Sequence, residues 1–145
     1  GMTDYPPLRC ERSVSQPRPS AYDRWHRLLI ESCKQSHRPW IPVLHPPVDL
    51  KDWVSQCADR NAVNVIADKR GATAGQAIEN RLLNAEYVCL VVGPEGGFSD
   101  TERAHLGRAQ SEMLSLGDGM LRVETAAVAL TAFAGRLLVS NGPDP

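Results

Sequence analysis

Tyr87-Val88-Cys89-Leu90-Val91-Val92-Gly93-Pro94-Glu95-Gly96-Gly97-Phe98-Ser99-Asp100-Thr101-Glu102 is the stretch on which the fold turns. Its first six residues are apolar on both faces, as expected of a central parallel strand covered on both sides. Gly and Pro then interrupt the pattern and mark a turn. Ser99 followed three residues later by Glu102 has the spacing of a capping box, in which each residue satisfies an orphan backbone N–H of the other. Asp100 adds a negative charge where a helix N-terminus favours one. A helix is therefore expected from Ser99 to about Ala109. Strand, glycine turn and capped helix make one unit of an α/β fold, in which ligands bind beyond the carboxyl ends of the strands.

The same alternation extends in both directions. Upstream, Ala62–Ala67 reads as a strand, and Asp49 is placed to cap a helix through Leu50, Trp53, Val54 and Cys57. Ile41–Leu44 reads as a strand whose Pro42 suits an edge or a strand start. Tyr22, Trp25, Leu29 and Cys33 form one stripe of an amphipathic helix ending near His37, before Pro39. Residues 69–81 are ambiguous between loop and short helix. Downstream, Met113–Leu116 predicts a short strand and Glu124–Val139 the last helix, with Ala127, Leu130, Ala134 and Leu137 or Leu138 facing the core. Four prolines in residues 1–20 predict an irregular N-terminal segment. A single domain over 21–140 and a frayed tail at 141–145 complete the expected organisation. The sheet should be mainly parallel, with helices on both faces.

Composition removes several function classes. With 145 residues and 42% hydrophobic content the chain can bury a core. No apolar run is long enough to cross a bilayer. Cysteines 10, 33, 57 and 89 form no CxxC pair and the four histidines no ligand spacing, so no metal is expected, and scattered thiols suit a reducing cytoplasm. Net charge is −1, yet Arg9–Arg38 carries seven Lys/Arg against three acids. That local excess is either a solvated face or a phosphate-binding patch.

Two glycine-bearing segments carry the chemistry. In Gly93-Pro94-Glu95-Gly96-Gly97, small residues would let backbone groups approach a ligand. A tight connection without a ligand explains the turn equally well. The Lys-Ser/Thr of a phosphate loop is missing, and Glu95 would repel a polyphosphate while suiting a hydroxylated, amine-bearing or sulfonium ligand. In Leu116-Gly117-Asp118-Gly119-Met120-Leu121-Arg122-Val123-Glu124-Thr125-Ala126, a strand again runs into glycines and then a helix. Glu124 or Thr125 could cap that helix, and Arg122 with Glu124 could be a surface ion pair of little energetic weight.

Taken in order, GPEGGFS…E, then LG…LRVETA, resembles the SPOUT-class 16S rRNA uridine N3-methyltransferase family. Arg24-Trp25 through Gln35-Ser36-His37-Arg38, followed by Ile41-Pro42, resembles that family's helix with its Gln-Ser-x-Arg ending, and Glu11-Arg12-Ser13-Val14 the strand before it. The resemblance runs from about Leu8 to Leu138. It implies a C-terminal trefoil knot, an exception to the rule that chains do not thread loops. It implies S-adenosyl-L-methionine held by Gly93, Pro94, Glu95, Gly96, Gly97, Leu116, Gly117, Leu121, Thr125 and Ala126. It further implies methyl transfer to ribosomal RNA, with Arg122 steadying charge on the uracil and Glu124 as base, and a homodimer in which Gln35, Ser36 and Arg38 contact RNA. The family pattern also includes a PUA-like RNA-binding domain and a first strand and helix of the SPOUT domain, which this sequence is expected to lack; that helix takes part in dimer packing. Asp118 and Gly119 stand where basic or bulky residues are usual, which would weaken phosphate contact. A truncated paralogue that binds S-adenosylmethionine without methylating RNA is the alternative.

Overall fold

The computed structural model describes residues 2–14, 18–58, 62–109 and 111–139, so the expected frayed tail lies outside the described residues. In chain order the elements are β1 (Asp4–Tyr5), β2 (Leu8–Arg9), α1 (Pro19–Gln35), β3 (Val43–Leu44), β4 (Val48–Asp49), α2 (Leu50–Ala58), β5 (Ala62–Thr73), α3 (Gln76–Leu83), β6 (Tyr87–Val92), α4 (Asp100–Arg108), β7 (Glu112–Ser115) and α5 (Val123–Val139). Every strand pair is parallel. β5 lies between β6 and β7, while β1 pairs with β3 and β2 with β4.

The period of two along β5 explains the layers. Val65 and Ile66 are both fully buried but point to opposite faces. Ile66 joins Val91 from β6, Trp53 and Val54 from α2, and Leu106 from α4. Val65 joins Leu114 from β7, Leu82 from α3, and Leu130 and Leu137 from α5. Helices thus cover both faces. Each completely buried Leu or Ile here contributes on the order of 1.5–3 kcal/mol.

Several expectations change. Residues 1–20 hold two short strands and the start of α1 rather than wholly irregular chain, and Pro19 takes the first helical turn, where its missing N–H costs nothing. Glu11 and Arg12 form a turn, and the strand lies just before them at Leu8–Arg9. The third strand is shorter than expected, Val43–Leu44. Residues 69–73 continue β5, and the ambiguous stretch ends in α3. β6 is not central: among the described residues it pairs on one side only, with β5. Its apolar character on both faces reports the helices above and below, not neighbours at its edges. On α5, Ala126 rather than Ala127 is buried, and Leu137 rather than Leu138.

β5 also bulges. Ala67 and Ala72 both register with Leu114, so residues 68–71 loop out between them. A Cβ on Gly71 would lie 2.4 Å from the Met113 backbone, which explains the glycine. Asp68 in the loop accepts from the Arg70 N–H at 2.9 Å and from Arg103 Nε at 3.0 Å. Its side chain is 5% exposed and that of Arg103 16%, so the pair is nearly dry and binds the bulge to α4.

Candidate functional site

Val92 and Leu114 both register with Ala67, one from each side. With strands about 4.8 Å apart, they stand roughly 10 Å from each other at one level of the sheet. The chain leaves β6 into Gly93–Gly97 just past that level, and β7 into 116–122 one residue later. Both segments singled out from sequence therefore open from the carboxyl edge of one parallel sheet, flanking its central strand.

The Gly93–Gly97 turn is built tightly. The Gly97 N–H donates to the Pro94 carbonyl at 2.8 Å, and Gly97 has φ +67°, a conformation that favours glycine. A Cβ on Gly93 would lie 2.9 Å from the buried ring of Phe98, so this glycine is required by the core. Glu95 is exposed. The capping box forms as its spacing predicts: the Glu102 N–H donates to Ser99 Oγ at 3.1 Å, and the Ser99 N–H to Glu102 Oε2 at 2.8 Å. Glu102 is only 5% exposed, and its other oxygen accepts the Glu11 N–H at 2.8 Å. Burial, and then the neighbouring Glu102 carboxylate, push the Cys10 thiol from its ordinary 9.0 up to about 12, so this cysteine is no nucleophile.

The second segment is looser. Gly117 has φ +135°, and its carbonyl accepts from Ser115 Oγ at 3.1 Å. A side chain at Gly117 or Gly119 would meet nothing within 4 Å. Met120, Leu121, Arg122, Glu124 and Thr125 are exposed, Leu116 is half-buried beside α5, and Ala126 is buried. The Ala126 N–H donates to the Arg122 carbonyl at 2.8 Å, and α5 opens at Val123. Glu124 and Thr125 therefore lie inside the first turn and neither caps the helix; Arg122 stands at the capping position.

Gln35, Ser36 and Arg38 stand at the end of α1. The Arg38 N–H donates to the Cys33 carbonyl at 2.9 Å and the His37 N–H to the Lys34 carbonyl at 3.2 Å, around His37 at φ +54°. This is a Schellman ending with histidine in the position that glycine usually takes. Among the described residues no hydrogen bond joins 35–38 to either glycine-bearing segment. Sequence reasoning assigned no site role to Arg12, Asp68, Gly71 or Arg103. Only Arg12 carried a signal, through the Glu-Arg dipeptide of the resemblance.

Comparison with known proteins places the chain in a family. A family model for the RNA methyltransferase domain matches residues 1–135. A ribosomal RNA small subunit methyltransferase E of a Synechocystis species is 30% identical over 142 residues, covering 97% of this chain and 46% of that protein. Its Aquifex aeolicus counterpart is 31% identical over 134 residues, covering 91% and 56%. A Legionella pneumophila structure with bound S-adenosylmethionine superposes with TM-score 0.76 at 28% identity, over 95% of this chain and 55% of that one. A Neisseria gonorrhoeae ribosomal RNA small subunit methyltransferase E, also bound to S-adenosylmethionine, gives TM-score 0.78 at 24% identity and speaks for the fold; it is covered over 56% and this chain over 94%. The chain spans about half the length of these relatives. With the family match running through nearly all of its own residues, the chain belongs to the RNA methyltransferase domain family.

Proposed function

We infer that this chain binds S-adenosyl-L-methionine between its two glycine-bearing segments and takes part in methylating N3 of a uridine in small-subunit ribosomal RNA. The observation that carries this reading is the pair of segments opening side by side from one sheet edge, within a chain of this family. The residues suit the cofactor. Glu95 offers a carboxylate to a cationic ligand, half-buried Leu116 offers apolar surface, the space around Gly117 admits a ligand close to backbone, and Ala126 is assigned to the cradle from the start of α5. Gly93, Pro94, Gly96, Gly97, Leu121 and Thr125 complete the assigned cradle. The Gly97 N–H is already donated to Pro94, whereas the Gly96 carbonyl keeps a second lone pair beside Arg12.

When bound, the cofactor supplies an electrophilic methyl group, and the protein's part is largely alignment. Uridine N3 must lose a proton, and Glu124, exposed in the first turn of α5, is assigned as base. Arg122, one residue before that helix, is assigned to negative charge on the uracil carbonyls. N3 is hidden in a base pair, so the target must be unpaired or flipped out. Gln35, Ser36 and Arg38 are assigned to RNA contact. The trefoil knot, a homodimer and a cytoplasmic site of action belong to the same reading; among the described residues no helix is long and apolar enough to cross a membrane.

The test is transfer of a labelled methyl group to 30S particles that lack the modification, with the product nucleoside identified by mass spectrometry. N3-methyluridine is expected. Cofactor binding without transfer would leave the chain a binding protein and defeat the catalytic reading.

A further inference from the structure

The Cys10–Ser13 turn meets the second half of the chain at two points distant in sequence, one on the first turn of α4 and one on the Gly93–Gly97 turn. The Glu11 N–H reaches Glu102 across 91 residues, and Arg12 Nη1 donates to the Gly96 carbonyl at 3.2 Å across 84. Packing supports the second contact. A Cβ on Gly96 would lie 3.0 Å from Arg12 Cβ and 3.4 Å from its carbonyl oxygen. Gly96 is thus small on the side that faces Arg12, whatever a ligand requires of it.

The Gly96 carbonyl and the Gly97 N–H belong to one planar peptide group. Arg12 holds its oxygen end, and the Pro94 carbonyl holds its N–H end at 2.8 Å. A peptide between two glycines can otherwise rotate as a unit, because neither neighbour has a Cβ to resist it. Fixed at both ends it cannot turn over, and the adjoining groups of the turn keep their direction.

We propose that Arg12 is a positioning residue for the cofactor turn, holding the Gly96–Gly97 peptide in its ligand-accepting orientation before the ligand arrives. This rests on the reading of Gly93–Gly97 as part of the cofactor cradle. The benefit is preorganisation: a turn already ordered loses less entropy on binding. The guanidinium is exposed, so its charge also faces solvent, where it could meet an RNA phosphate. The two roles separate experimentally, since phosphate contact leaves affinity for the free cofactor unchanged.

Arg12→Met keeps the stem that packs on Gly96 and removes the donor. Arg12→Lys restores a single donor without the planar fork. Two quantities are measured in each: the exchange rate of the Gly97 amide in ligand-free protein, and the calorimetric affinity for S-adenosylhomocysteine. Arg12→Met should speed Gly97 exchange and weaken binding, each about tenfold, with Arg12→Lys recovering part of both. The melting temperature of ligand-free protein controls for general loss of structure. Wild-type binding together with unchanged affinity and exchange in Arg12→Met would overturn the proposal alone. Failure of the wild-type chain to bind S-adenosylhomocysteine would overturn the cofactor reading, and the proposal with it.

Discussion

The two glycine-bearing segments share a sheet edge but are built on opposite plans. Gly93–Gly97 is held from every side: by its internal hydrogen bond, by the Phe98 ring under Gly93, by the capping box at its exit, and by Arg12 on Gly96. Residues 117–122 have open space around Gly117 and Gly119 and exposed side chains from Met120 to Arg122. The first segment is a preformed wall. The second has room to close, and under the proposed function the binding energy of a ligand can be used to order it. Both segments use one glycine for an unusual backbone, Gly97 and Gly117, but only the first also uses glycines for close packing, at Gly93 and Gly96.

Substitutions that probe this contrast differ in expected size. Gly71→Ala should be the most damaging, because its Cβ would strike the β7 backbone on which the second segment is mounted. A loss of about 3 kcal/mol in chemical denaturation is expected; a neutral result would mean that the bulge is misread. Ser99→Ala removes the cap below the first segment and should cost about 1 kcal/mol, read in the same way. Alkaline titration should act on the same fixed region. The folded chain keeps Cys10 protonated to higher pH than the unfolded chain does, so this contribution is complete below pH 9.0 and is lost as pH rises toward 12. Cys10→Ser should flatten that part of the stability–pH profile, and an unaltered slope would assign it to other groups. Gly119→Ala, in open space, should change stability by less than about 0.5 kcal/mol. A large loss there would show that the second segment is packed after all.

The boundary between what was legible in the sequence and what was not follows the range of the interactions. β6 and α4 were legible because a six-residue apolar run and a Ser-x-x-Glu spacing act over a few residues, and the stripe of α1 likewise buries Cys33. Pairing partners were not. Nothing within Ala62–Thr73 says that it is central, that it bulges at 68–71, or that Asp68 meets Arg103. The two-residue strands β1 and β2 have too little pattern to announce themselves, and each is defined by a partner about forty residues on. The unusual backbone at His37 was hidden because the residue is not glycine. The glycines of the two segments were singled out by composition and resemblance. Arg12, which completes the first wall, depends on a contact 84 residues away.

The most direct test is amide hydrogen exchange across the whole chain, with and without saturating S-adenosylhomocysteine. Residues 117–122 should exchange fast in the free protein and become strongly protected by the ligand, while Gly93–Gly97 should start protected and gain less. Protection at neither segment, or confined to another part of the chain, would contradict a cofactor site formed between them.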